Sequence, residues 1–134
     1  VIVDTSALVA ILKRETGFEA LRDAIGLEGG GLPAPALVEF TLVAAGAAMT
    51  AQGARLLDAL HEQGLVTVAF TADHAAAAAV AQPRYGKGNG RGGLLNLLDL
   101  MVYAVAKERG ESLLCTGKDF ATTDIERHAA SRGF

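Results

Sequence analysis

Apolar and polar positions along this chain follow two rhythms, one short and strand-like, the other helical. Val1-Ile2-Val3 is an apolar, β-branched run that stops at Asp4, the pattern of a strand buried in a parallel sheet. Ser6 is placed to cap a helix in which Leu8, Ile11 and Leu12 recur on one side. Thr16 and Glu19 form a capping-box pattern for a second helix carrying Phe18, Leu21 and Ile25. A Gly-rich break over 28–31 leads to a short candidate strand at 32–34. Pro35 then opens a helix over 36–50 with Leu42, Val43 and Gly46 on one face. The next helix, 51–63, turns Leu56, Leu57 and Leu60 inward and ends at Gly64. A strand is predicted over 65–70, and Thr71 caps an Ala-rich helix over 72–82. A Gly-rich loop occupies 83–93. The amphipathic stretch 96–109 predicts a helix stopped by Gly110, and 112–116 the last strand. Strands alternating with helices specify an α/β fold around a mainly parallel sheet, with residues 1–134 as a single domain.

Composition narrows this picture. The 134 residues are enough to bury a core. No apolar run approaches the roughly 18 residues of a membrane span, and no secretory signal pattern is present. A single cysteine excludes an intramolecular disulfide framework and favours a reducing, cytoplasmic setting. The net charge of −3 argues against a generally basic nucleic-acid binder and leaves local basic contacts open.

Candidate chemistry lies in four acids. Asp4 ends the first strand, where open α/β sheets bind ligands. Glu39 opens the 36–50 helix on the face of Leu42, Val43 and Gly46. Asp99 opens the 96–109 helix on the face of Val102, Tyr103 and Ala106, and Asp119 follows the last strand. Solvated carboxylates belong on the polar face of an amphipathic helix, and Glu39 and Asp99 depart from that rule; a carboxylate at a helix amino end also has a structural explanation in the helix dipole. Converging carboxylates without cationic partners suit a hard divalent cation, Mg²⁺ or Mn²⁺. Such a centre suits phosphodiester hydrolysis. His61, His74, His128 and Cys115 are scattered and read as structural or surface residues. Gly88-Asn-Gly-Arg-Gly-Gly93 matches a dinucleotide-binding pattern but follows no strand, and no P-loop pattern occurs. Arg84, Lys87 and Arg91 are either RNA-phosphate contacts or a solvated loop.

The segment Val-Ile-Val-Asp4-Thr-Ser-Ala-Leu resembles the amino-terminal signature of PIN domains, especially the VapC ribonuclease toxins of toxin–antitoxin pairs. The resemblance continues through Ala-Leu-Val-Glu39, Tyr85-Gly-Lys-Gly88, Leu95-Asn96-Leu-Leu-Asp99, Tyr103-Ala-Val-Ala-Lys107, Thr116-Gly-Lys-Asp119-Phe120 and Thr123-Asp124-Ile125. It implies a three-layer α/β/α sandwich and a Mg²⁺- or Mn²⁺-dependent endoribonuclease with Asp4, Glu39 and Asp99 as acids. Asp119 is the implied fourth acid and Asp124 a secondary candidate. It also implies a cognate antitoxin that blocks the active site, an RNA substrate and a homodimer. Thr5 and Ser6 are placed to hydrogen-bond the site, and Asn96 either does so or caps its helix. The chain departs from the family at Leu98 and Leu100, where Gly and Cys are common, and at Lys118, where many members carry an acid; Lys118 is then a phosphate contact. A PIN-like module that binds protein or RNA without cleaving it is the alternative.

Overall fold

The computed structural model describes residues 1–133. Its elements run β1 (Ile2–Val3), α1 (Thr5–Leu12), α2 (Phe18–Glu28), β2 (Gly30–Pro33), α3 (Ala34–Gly46), α4 (Thr50–Glu62), β3 (Leu65–Val68), α5 (Ala72–Tyr85), α6 (Leu97–Arg109) and β4 (Leu113–Leu114). The strands form one sheet in the order β3-β2-β1-β4. Every pairing is parallel, with Ile2 opposite both Gly31 and Leu113. Successive residues of a strand face opposite sides, yet Ile2 and Val3 are both fully buried, as are Leu113 and Leu114. Helices therefore cover both faces, the three-layer α/β/α arrangement. Gly31 fits a tight spot, where a Cβ would stand 3.0 Å from side-chain carbons of Ile2 and Val68 and would force them to shift.

The chain departs from the expected pattern in several places. Asp4, not Ser6, caps α1, because its carboxylate accepts the Ser6 backbone N–H at 3.0 Å. The Thr16–Glu19 capping box does not form; Gly17, at φ 88°, starts α2 with no side-chain cap. On α3 the buried positions are Ala36, Phe40 and Ala44, while Leu42 is 67% exposed and Gly46 faces open space. The face proposed through Leu42, Val43 and Gly46 is thus not the packed one. α5 continues past Pro83 to Tyr85. Proline there forfeits one bond to the exposed Ala79, while the Gly86 N–H still reaches the Gln82 carbonyl at 2.8 Å.

The loop after α5 is tied rather than slack. The Asn89 side chain donates to the Pro83 carbonyl and accepts from the N–H groups of Arg91 and Gly93. Gly86 also pairs with Leu95. Among the described residues, no helix is long and apolar enough to cross a membrane.

Candidate active site

The chain leaves β1 toward β2 on one side and later returns to β4 on the other, so the carboxyl ends of β1 and β4 flank a topological switch point. A cavity of about 330 Å³ opens there, and Asp4, Glu39, Asp99 and Asp119 all line it. Four separate stretches of chain deliver them. Asp4 follows β1 directly, and its backbone N–H donates to the Leu114 carbonyl at 3.0 Å, fixing it beside β4. Glu39 comes from the early turns of α3 and Asp99 from the first turn of α6. Asp119 sits on the loop beyond β4, next to the buried Phe120, which completes the wall.

Two of these carboxylates are aimed by one oxygen each. Asp4 Oδ2 accepts from the backbone N–H of Ser6 and, in a short bond, from its hydroxyl. The same Ser6 Oγ accepts the Thr116 N–H at 3.0 Å, so one serine bridges the ends of β1 and β4. Asp99 Oδ2 accepts the Asn96 N–H at 3.1 Å, and Asn96 Oδ1 accepts the Asp99 N–H at 2.9 Å, a reciprocal capping box. Oδ2 is thus the oriented oxygen in both residues, and the Thr5 backbone N–H adds a further pull on the Asp4 carboxylate. Asn96 thus caps α6. Thr5 donates to the Ala36 carbonyl at 3.2 Å and ties α1 to α3.

Electrostatics mark the cavity as a site of unrelieved negative charge. Burial pushes the Asp4 carboxyl above its ordinary value, and Glu39 adds to the effect against the pull of the Ser6 bonds. Asp99 is pushed to about 7, first by burial and then by the charges of Asp4, Asp119 and Glu39. Among the described residues, no Lys, Arg or His stands on the wall. An all-oxygen, all-carboxylate donor set of this kind fits a hard divalent cation. As the side chains stand, no three His, Cys, Asp or Glu groups among the described residues enclose a point that could hold an ion. The donor chemistry thus fits an ion, while the side chains as they stand do not form its coordination shell.

The remaining expected residues sort differently. Asp124 is not at the cavity: it accepts from the Tyr103 hydroxyl and from Lys107 Nζ, both at 2.6 Å, which hold its carboxyl below the usual range. That pairing makes it a strut between α6 and the carboxyl-terminal segment. Arg84, Lys87, Arg91 and Lys118 are exposed and lie off the cavity wall; Arg84 stacks on Tyr85, 5.2 Å from the ring centre. Leu98 is absent from the wall, and Leu100 is buried in the core. Cys115 is fully buried with its thiol pushed up to about 11, which keeps it protonated.

A PIN-domain profile matches residues 1–126. The chain belongs to the PIN-domain family. Ribonuclease VapC42 of Mycobacterium tuberculosis is 40% identical over 126 residues, covering 92% of this chain and 95% of that protein. A ribonuclease VapC of Mycolicibacterium smegmatis is 40% identical over 125 residues, covering 92% and 96%. Among solved structures, the Mycobacterium tuberculosis sarcin-ricin loop cleaving toxin VapC20 superposes with a TM-score of 0.74 at 14% identity, over 95% of this chain and 97% of that one. A chain of the Rickettsia felis VapBC2 complex, bound to a DNA fragment from its promoter, does so with 0.74 at 15% over 94% of each. At such identities the superpositions speak for the PIN fold.

This PIN domain also places one acid at the site that the sequence does not single out. Glu15, three residues past α1, lines the cavity. α1 ends in a left-handed turn at Arg14, φ 51°, and the Glu15 N–H closes it on the Ala10 carbonyl at 2.9 Å. That turn carries Glu15 back toward the site, and a non-glycine residue at positive φ leaves little trace in sequence.

Proposed function

We propose that this PIN domain, taken as a single unit over residues 1–134, is a VapC-type endoribonuclease toxin that hydrolyses RNA phosphodiester bonds. The observation that carries the reading is the convergence of Asp4, Glu39, Asp99 and Asp119 on one cavity with no cation in its walls. The 40% identity to VapC ribonucleases along nearly the whole chain supports it. VapC-type PIN nucleases are metal-dependent, and here the ion is Mg²⁺ or Mn²⁺, held by these four acids. Bound there, such an ion would lower the pKa of a water nucleophile and stabilise charge on the phosphoryl and leaving oxygens.

The chain's own residues supply position. Ser6 holds Oδ2 of Asp4, and the Asn96–Asp99 capping box holds Oδ2 of Asp99, so both carboxylates are oriented at the cavity. Phe120, Val9 and Val43 line the cavity with apolar surface beside the acids, which lowers the local dielectric and strengthens charge interactions. A carboxylate that is costly to ionise, as Asp99 is, ionises readily beside a cation. Its charge is therefore coupled to metal occupancy. The exposed Arg84, Lys87, Arg91 and Lys118 contact RNA flanking the scissile bond.

A cognate antitoxin is the regulatory partner, in keeping with the complex from Rickettsia felis. Outward-facing Val38 and Leu42 on α3, 60% and 67% exposed, supply an apolar patch for a homodimer.

The test is cleavage of RNA by the purified protein. Activity is expected to vanish in EDTA and return with Mg²⁺ or Mn²⁺. Asp4→Asn is expected to remove it while keeping the fold, because asparagine caps a helix as aspartate does. Full activity in excess chelator refutes the metal reading. Binding of RNA with no cleavage under either metal identifies a non-catalytic module instead.

A further inference from the structure

We propose that the groove between α1 and α4 holds the single-stranded flank of the RNA substrate as it leaves the acid cavity, an inference that rests on the ribonuclease reading. The groove, of about 650 Å³, is lined by Lys13, Arg14 and Arg55 over Ile11, Leu12 and Leu56. The three cations are exposed, and among the described residues none takes part in an ion pair. Among the described residues, no carboxylate stands on the groove wall. Each of four other surface cavities has at least one: Glu28 and Glu111 in the first, Asp73 and Glu108 beside Arg84 in the second, Asp124 and Glu126 in the third, and the acids of the active site in the fourth. In a chain with a net charge of −3, a wall of unpaired cations is a local exception, and it is complementary to a polyanion.

Geometry ties this groove to the reaction. Arg14 lines the groove while its neighbour Glu15 lines the acid cavity, and on α1 Val9 lines the cavity while Leu12, one turn on, lines the groove. The two spaces are thus consecutive along one helix and its terminal turn. α1 and α3 end alike at this place. Arg14 and Ala48 both adopt positive φ, 51° and 57°, with the Glu15 N–H on the Ala10 carbonyl and the Met49 N–H on the Ala44 carbonyl. Those turns set Lys13 and Arg14 at one rim and Met49 at the other.

A phosphodiester held at Asp4 and Asp99 leaves its neighbouring nucleotides no choice but an adjoining surface. Cations spaced over an apolar floor suit them, with phosphates on the rim and base faces against Leu12 and Leu56. Phosphate contacts carry little sequence information, so this groove contributes affinity and direction of approach, not choice of cleavage site. An acidic protein segment is the competing occupant. Continuity with the cavity that holds the reacting phosphate favours RNA.

The experiment compares the wild-type chain with Lys13→Gln/Arg14→Gln/Arg55→Gln. Binding of a labelled, unstructured poly(U) fragment is titrated in EDTA over a range of KCl concentrations. Cleavage of the same fragment, and of a short oligonucleotide spanning only the acid cavity, is followed with Mn²⁺. The three positions are exposed, and a thermal melt confirms that the variant is folded; if it is not, the three single variants are read separately. The log–log salt slope is expected to fall by about 2, at roughly 0.7 per lost phosphate contact, or by about 0.7 in each single variant. KM for the long RNA is expected to rise about tenfold or more, with kcat and the rate on the short oligonucleotide unchanged. An unchanged salt slope overturns the proposal. So does a variant that binds RNA as the wild type does while losing its hold on an acidic peptide. A wild-type chain that cleaves neither RNA refutes the ribonuclease reading instead, and the slope in EDTA still tests the groove.

Discussion

Asp99→Asn is expected to stabilise the metal-free protein, and by an amount that depends on pH. In the folded chain the Asp99 carboxyl sits near 7 because it is partly buried and faces Asp4, Asp119 and Glu39. In the unfolded chain it returns to an ordinary carboxylate value near 3.8. Below that value both states are protonated and the residue is neutral toward folding. Between the two values the folded state binds a proton that the unfolded state does not, so stability falls as pH rises and levels off above about 7. At about 1.4 kcal/mol per pH unit the full displacement would amount to roughly 4 kcal/mol. Partial solvent access of Asp99 reduces this to about 2 kcal/mol. Asparagine keeps the carbonyl that accepts the Asn96 N–H, so the cap on α6 survives. Thermal or urea unfolding in EDTA from pH 4 to pH 8 measures the difference. At pH 8 the variant is expected to melt roughly 6 °C above the wild type, and the gap is expected to close toward pH 4. Asp124 and Glu111, whose carboxyls are held low by Lys107 and Arg109, titrate in the opposite sense in both proteins and cancel in the comparison. Adding Mg²⁺ is expected to reverse the order, because only the wild type retains the full donor set. A variant less stable than the wild type at pH 8 in EDTA, or a gap independent of pH, refutes the claim that burial and the neighbouring acids make Asp99 costly to ionise.

Ser6→Ala removes both bonds by which its hydroxyl joins Asp4 to Thr116; about 1–2 kcal/mol of stability is expected to go with them, and kcat to fall more than KM rises, which a chain merely loosened elsewhere would not show. Replacing Arg84, Lys87 and Arg91 with Ala is expected to weaken RNA binding at every sequence tested and to leave metal affinity unchanged; an unaltered salt slope in that variant makes the loop a solvated surface. Val38→Lys/Leu42→Lys is expected to convert a dimer to a monomer in sedimentation at tens of micromolar, and a wild type that is already a strict monomer counts against the α3 interface.

Much of this architecture is legible in local pattern. The β-branched run ending at Asp4, the Ala- and Leu-rich helical repeats and the glycine stop at Gly110 mark β1, the helices and the end of α6, because burial on one face imposes a period that sequence displays. Asp4 and Asp119 stand out locally beyond strand ends, and Asp99 on the buried side of α6, whereas the face that singles out Glu39 in the sequence is not the packed face of α3. Other features follow from contacts between residues far apart. Asp124 looks as available as Asp119 along the chain, yet Lys107 and Tyr103 on α6 claim it. Glu39 faces the site together with Val43, while Leu42, placed with them by periodicity, faces outward. α3 packs by Ala36, Phe40 and Ala44, and on so uniformly apolar a helix hydrophobicity alone does not single out the buried face.

Glu15 reaches the cavity through a turn that its own residue types do not encode, and the cationic groove exists because that turn lies beside α4. A sequence states which residues prefer water and which helix or strand they favour. The meeting of four carboxylates, or of three cations with no acid among them, depends on how the sheet order β3-β2-β1-β4 brings distant segments together. Tertiary packing sets that order, since long-range burial outweighs the few tenths of a kcal/mol by which local preferences differ.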